Sequence, residues 1–322
     1  MNGRRSTQET NPNYGKGQAS LALDDDVLLD EEKLTQQLLA TFSAESYRPP
    51  TLPSVATELL SLSQNPDVAI CDIAALLERD TMLTGRVMKL MCSPVYAGTA
   101  AVKSLDQAVM RLGLKALCDV VLEASMNLRV FRSDAYSGTM ERLRLHSTAT
   151  AHLSKIICRY TAIVGDYAFL CGLLHDAGIA GTLIALSEGR GSKPPPDLIA
   201  IWPAVHRMHA EASAQMAKLW GLPPDVQLVL KSHHCVLVDG YPHPLAATIC
   251  LADEIAHELG LGVLPAEKVD ESSLEEACLL SHTQIDHSSD GTLACAREAL
   301  RLTDPQLELI QRDAANLRDS LA

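Results

Sequence analysis

Aromatic residues are scarce, 4% of 322 positions, while leucine and alanine abound. Strands draw on aromatic and β-branched side chains, so the shortage favours helices. Long basic runs are missing, and 40 acidic against 27 basic residues give a formal charge of −13. The chain therefore lacks the electrostatic footprint of a general DNA binder, although a local basic pocket for a nucleotide stays open. No uninterrupted apolar run reaches the ~18 residues of a membrane span. The start, Met1 to Gln18, is polar and shows no signal-peptide pattern. The nine cysteines are odd in number and none forms a C-x-x-C pair. That pattern argues against a disulfide framework and for buried free thiols in a reducing cytoplasm.

What is present is an all-α pattern with enough apolar residues, 47%, for a sizeable core. Residues 1–31 read as a disordered tail ending in a solvated acidic run, with a short helix over Glu32–Phe42. Three amphipathic stripes follow at 3- and 4-residue steps. They are Val55, Leu59, Leu60 and Leu62; Ile70, Ile73, Leu76 and Leu77; and Leu83, Val87, Leu90 and Met91. Ser104-x-x-Gln107 reads as a capping box, Gly113 as a helix stop, and Lys115–Phe131 as a longer helix. These make a helical lobe over 50–132. A second series is expected at about 139–161, 166–177, 206–220, 224–235 and 244–260, within a second lobe over 136–260. Residues 263–322 form a C-terminal extension, turning polar and then regaining helical texture at Leu274–Leu280 and Ala294–Leu317.

The candidate chemistry lies in the second series. His175-Asp176 ends an apolar helix, where an imidazole and an adjacent carboxylate can face one metal centre. A carboxylate can also bridge two ions. His146 shares its phase with Ala149, Thr150, Leu153 and Ile157, and His209 with Ser213, Met216 and Trp220. His233 follows Val226, Val229 and Leu230, with His234 beside it, and Asp253 shares a face with Ala246, Ile249 and Cys250. Ionisable groups thus fall on faces that otherwise read as buried, which is costly unless they are paired. A shared metal centre and a buried hydrogen-bonded network both satisfy them.

The order His146, His175-Asp176, His209, His233-His234, Asp253 resembles the HD superfamily, including the added histidines of its HD-GYP branch. Leu52-Pro53, Glu78-Arg79-Asp80, Ser104 through Leu114, Gly172 through Gly178, and His209 through Pro223 are similar to HDOD domains, over about residues 47–260. The resemblance implies two packed helical lobes, the second an HD-type core, and a bacterial signal-transduction output module acting on a protein partner. Many HDOD domains lack the metal ligands; this chain keeps them all. Asp239-Gly240-Tyr241-Pro242 is similar to the GYP element of cyclic-di-GMP phosphodiesterases, but it is also an ordinary turn sequence. Ile179 stands where those enzymes carry a lysine, and Cys235 where they carry a glutamate.

Two functional readings result. One is a regulatory binding module in which a bound metal would be structural or vestigial. The other is a metal-dependent phosphohydrolase acting on a nucleotide or cyclic dinucleotide. Its divalent iron or manganese centre, mono- or binuclear, would be held by His146, His175, Asp176, His209, His233, His234 and Asp253. The enzyme also needs a cation for the phosphate, and Lys155, Arg159, Arg207, Lys218 and Lys231 are the candidate sources.

Overall fold

The computed structural model describes residue 28 and residues 30–52, 54–63, 68–91, 93, 95–96, 105–163, 165–188, 193–264 and 289–321. The N-terminal tail apart from its last few residues, Ser104 of the expected capping box, and the expected helix at 274–280 lie outside them. Every long element is helical. The sole β-structure among the described residues is a two-stranded hairpin.

The first helix, α1 (Glu31–Ser43), is capped by Asp30, whose carboxylate accepts from the Lys33 amide at 3.1 Å. Leu34, Leu38 and Phe42, at 4-residue steps, are buried. Helices α2 (Ser54–Ser63), α3 (Ile70–Glu78), α4 (Thr81–Met91) and α5 (Leu105–Arg129) follow. The expected stripes carry their burial: Val55 and Leu59, Ile73, Leu76 and Leu77, and Leu83, Val87 and Met91 are all in the core. Gly113 interrupts α5 with φ of +73° and ψ of 169°, an extended positive-φ backbone that favours glycine, at the point where its sequence context predicts a helix stop. Helices α2, α3 and α4 all pack on α5.

The next helices build the site. They are α6 (Ser137–Tyr160), α7 (Ala168–Leu174), α8 (Ala177–Glu188), α9 (Leu198–Leu219), α10 (Pro224–Lys231) and α11 (Pro244–Glu258). Two differences from the sequence pattern matter. The expected helix at 166–177 is two helices, α7 and α8, and His175 and Asp176 form the turn between them. The chain from Ala168 to Glu188 is apolar enough to span a membrane by length and composition, but its apolar stretch is buried by its neighbours. Helix α9 starts at Leu198 rather than near 206. Asp197 caps it through the Ala200 amide, and Pro203 is carried inside the helix.

Two crossings are tight. A Cβ added to Gly172 on α7 would stand 2.7 Å from the Ala151 Cα of α6. One added to Gly178 on α8 would stand 2.1 Å from the His209 carbonyl oxygen of α9. Real Cβ contacts are never that short, so hydrogen at these positions sets how closely the helices approach. Helix α1 packs on α9, and α11 lies against both α6 and α7.

Between α10 and α11 runs the hairpin, β1 (Leu237–Val238) and β2 (Tyr241–Pro242). Its turn residues Asp239 and Gly240 have φ of +51° and +81°, a type I′ arrangement. The Asp-Gly-Tyr-Pro element is therefore a tight turn, with Tyr241 exposed. At the C-terminus, α12 (Ser289–Leu300) packs on α11 and α13 (Asp304–Leu321) on α6. They share a second core containing Leu153, Ile157, Leu251, Ile255, Ile310 and Leu317. The described part of the C-terminal extension thus caps the second lobe.

Candidate metal centre

All seven predicted ligands converge. His146 comes from α6, His175 and Asp176 from the α7–α8 turn, and His209 from α9. His233 and His234 come from the turn after α10, and Asp253 from α11. His146, His175, Asp176, His209, His233 and Asp253 are buried, whereas the His234 side chain is 32% exposed.

The two carboxylate oxygens of Asp176 face different groups. Oδ2 lies 3.5 Å from His146 Nε2 and 3.4 Å from His175 Nε2. Oδ1 lies 3.3 Å from His209 Nε2 and 3.6 Å from His233 Nε2. On the first side, His146 and His175 Nε2 are 3.1 Å apart, and Asp253 Oδ1 is 3.0 Å from His146. On the second, His209 Nε2 is 3.2 Å from His233 Nε2 and 2.8 Å from His234 Nε2. Two donors bound to one ion at about 2.1 Å and a right angle stand about 3.0 Å apart. Each group contains pairs near that spacing, at 3.0 and 3.1 Å on the first side and 2.8 and 3.2 Å on the second.

Backbone carbonyls orient the rings. His146 Nδ1 faces Leu261 O at 3.2 Å, His175 Nδ1 faces Gly172 O at 2.8 Å, and His233 Nδ1 faces Leu230 O at 2.7 Å. His209 Nδ1 faces His206 O. A carbonyl can only accept, so each Nδ1 carries the proton and a neutral ring turns its Nε2 lone pair inward. Arg142 fixes the Leu261 end of this frame by donating to the carbonyls of Gly262, Val263 and Leu264 at 2.8, 2.9 and 3.0 Å. Ser213 on α9 accepts from the Gly178 amide at 2.8 Å and donates to His175 O at 2.6 Å, tying the His-Asp turn to α9.

The residues fit a cation. Asp253 Oδ1 is buried and accepts no hydrogen bond of good geometry, although His146 Nε2 and His257 Nδ1 stand 3.0 and 3.2 Å away. Inward lone pairs and carboxylate oxygens at 3.0–3.6 Å repel unless a positive charge lies among them. Burial lowers the pKa of His146, and drives that of His209 down to about 3. Burial alone would also depress His175, but Asp176 and Asp253 outweigh it and push His175 up to about 9. Burial would raise both carboxyls, yet His175 beside Asp176 and His257 beside Asp253 hold each well below the usual carboxylate range. The same His175 lone pair takes either a proton or a metal ion. Metal binding below about pH 9 therefore releases that proton. The expected result is a metal affinity that falls as pH falls, about tenfold per unit for one proton, checked by titration calorimetry in buffers of different ionisation enthalpy.

Two participants escaped sequence reasoning. His206 places a ring nitrogen within 4.8 Å of those of His209 and His234, and His257 lies within the same distance of His146 and Asp253. His257 Nδ1 is 3.0 Å from the Asp253 carbonyl oxygen and 3.2 Å from Oδ1. The available signal was spacing: His206 precedes His209 by three residues, and His257 follows Asp253 by four, both on shared helix faces. Of the candidate cations, Lys155 pairs with Asp119, Arg159 with Asp313 at 3.9 Å, Arg207 with Glu31 at 2.7 Å, and Lys231 with Glu211 at 2.8 Å. Lys218 is exposed. Ile179 is buried in the core.

A sequence model of the HDOD domain matches residues 50–236, more than half of the chain. The chain belongs to the HDOD family. An uncharacterised protein of Treponema pallidum (strain Nichols) is 29% identical over 271 residues, covering 78% of this HDOD protein; the chain spans 50% of that relative's length. The crystal structure of an HDOD domain protein of unknown function from Geobacter sulfurreducens superposes with a TM-score of 0.63 at 24% identity, over 91% of this chain and 98% of that one. A protein from Shewanella amazonensis SB2B, provisionally named a metal-dependent phosphohydrolase, superposes with a TM-score of 0.64 at 18% identity, over 91% and 99%. At these identities the likeness is one of fold.

Proposed function

We propose that this HDOD protein is a signalling module built around a binuclear divalent-metal site, held by His146, His175, Asp176, His209, His233, His234 and Asp253. The observation that carries this reading is the division of the Asp176 oxygens between two imidazole groups. A carboxylate so placed serves two ions at once. The regulatory reading is favoured over turnover by the cations. Lys155, Arg159, Arg207 and Lys231 are engaged with carboxylates outside the cluster, and a buried Ile179 occupies the position from which a lysine would reach a phosphate. Its output would be read by a protein partner. A reducing, cytoplasmic setting is supported by six free cysteines among the described residues, all but Cys295 at least partly buried.

The second reading, hydrolysis of a nucleotide or cyclic dinucleotide, is favoured by the partial exposure of the His234 side chain, which leaves one edge of the cluster in reach of solvent. Bound divalent ions would supply Lewis acidity and a lowered water pKa. The chain's own part is to hold the Nε2 lone pairs inward through carbonyl-bound Nδ1 protons and to present the carboxylates of Asp176 and Asp253.

Elemental mass spectrometry of protein grown with iron and manganese, and purified without chelators, is expected to find near two equivalents of transition metal. Metal-free protein under those conditions would overturn the proposal. Release of phosphate or a linear dinucleotide by the loaded protein, lost on chelation, would move the conclusion to the hydrolase.

A further inference from the structure

The far face of α6 meets the N-terminal lobe through polar groups. His146 and Lys155 are nine residues apart, two and a half turns, so they point to opposite sides of the helix. Away from the centre, Lys155 Nζ pairs with Asp119 of α5. One turn back along α6, His152 Nε2 stands 3.5 Å from Glu123 Oε2. The Tyr96 hydroxyl donates to that same oxygen at 3.0 Å and lies 3.3 Å from His152 Nε2. The two helices run antiparallel, so the same spacing continued brings Asn127 level with Thr148. Asp119, Glu123, Asn127 and Thr148 are buried. Both amide atoms of Asn127 and the Thr148 hydroxyl have no hydrogen-bond partner among the described residues. Burial raises the Asp119 carboxyl above its ordinary value, and Lys155 beside it brings it only part of the way back. The seam is therefore closed without being fully satisfied. Buried charges and unpaired amides regain water when such a seam parts, so its closure is marginal where an apolar seam would be firm.

The floor of the seam belongs to the frame of the metal centre. Phe169 of α7 packs edge-on against His152, ring centroids 5.2 Å apart, and Lys155 Nζ lies 5.6 Å from the same ring. The other end of α7 orients His175 through Gly172 O, and Gly172 is where α7 comes closest to Ala151 of α6. Helices α6 and α7 thus carry His146 and His175 to the centre, and Lys155, His152 and Phe169 to the seam.

We propose that Lys155 and His152 of α6, with Asp119 and Glu123 of α5, form a latch between the two lobes that tightens when the centre is loaded, so that metal occupancy is passed to the N-terminal lobe. This inference rests on metal binding at the centre and adds the route by which it is read out. An ion held by both His146 and His175 fixes α6 against the end of α7, and that steadies Phe169 under Lys155 and His152. Linkage makes the effect mutual: the factor by which metal favours the closed latch is the factor by which the closed latch favours metal.

The test is hydrogen exchange of the full chain, read by mass spectrometry, with and without manganese after stripping by chelation. Elemental analysis of the same samples gives occupancy, and titration gives affinity. Manganese is expected to slow exchange of the α5 amides from Asp119 to Asn127 by about fivefold or more, the lower end of ordinary coupling between sites. The double variant Asp119→Leu with Lys155→Met removes both charges at similar volume, an exchange that buried ion pairs tolerate. It is expected to lose the α5 protection and to bind manganese more weakly by the same factor, while α9 and α10, which lead to His209 and His233, still gain protection. Lys115→Met breaks the exposed pair of Lys115 with Asp166, 2.7 Å apart, and is expected to change neither quantity. Exchange in α5 that is the same with and without bound manganese overturns the inference and leaves the metal reading intact. So does unchanged manganese affinity in the double variant, or an equal effect from Lys115→Met. Uptake of no manganese by the wild type overturns the metal reading and this one with it.

Discussion

Asp176→Ala is expected to empty both metal positions together, from near two equivalents to near none. The reason is geometric. Asp176 Oδ2 lies within 3.5 Å of both His146 and His175, and Oδ1 within 3.6 Å of both His209 and His233. One side chain thus completes two donor sets, and its removal takes a charged ligand from each. Loss of a group that merely orients a ligand costs 10- to 100-fold in affinity, and loss of a ligand itself costs more, so at least about 100-fold is expected at each position. Elemental mass spectrometry reads the stoichiometry, and circular dichroism checks that the helices persist. Retention of one full equivalent would show that Asp176 serves a single ion. Asp253→Ala is the natural contrast: its Oδ1 stands beside His146, His257 and His175, at 3.0, 3.2 and 3.7 Å, and its Oδ2 comes no nearer than 3.9 Å to His234 of the second group, so the second position should stay filled.

The second large effect concerns the frame. Gly178→Ala would bring a methyl group to 2.1 Å from His209 O, 2.7 Å from Ser213 N and 2.8 Å from Ala212 Cβ. Two of these are backbone atoms of α9, which a rotamer change cannot move. Overpacking of this kind costs about 3 kcal/mol or somewhat more. Separating α8 from α9 also stretches the Gly178–Ser213–His175 hydrogen bonds and draws His209 away from Asp176. Urea denaturation of metal-free protein is therefore expected to lose about 3 kcal/mol, and metal affinity to fall with it. Gly138→Ala is the control, since nothing lies within 4 Å of its added methyl group. Equal stability of the Gly178 variant and wild type would show that α8 and α9 do not touch as described.

Helical phase made much of the site legible. A side chain's face follows from 3.6-residue periodicity, a local property. His146 could thus be assigned to the face of Leu153 and Ile157, and His209 to that of Ser213 and Met216, without knowing what lay opposite. Gly113 was legible for the same reason, because its role depends on its own backbone angles. Element bounds were less so. The helix expected from about 206 begins eight residues earlier, because Asp197 caps α9 upstream and Pro203 is carried within it. His206 was missed along with that early start, since it falls at the edge of the expected helix.

The sequence by itself determined the all-α class and the two lobes' amphipathic helices, and it offered seven candidate donor residues, six of which are buried. Only the tertiary structure decided that Asp176 divides its oxygens between two groups, that His206 and His257 join them, and that every described candidate cation but Lys218 is engaged elsewhere. Donor type and helical phase are written locally in the chain. Which nitrogen meets which oxygen depends on distances between helices, and those are set by close crossings at Gly172 and Gly178 and by carbonyls that orient each ring.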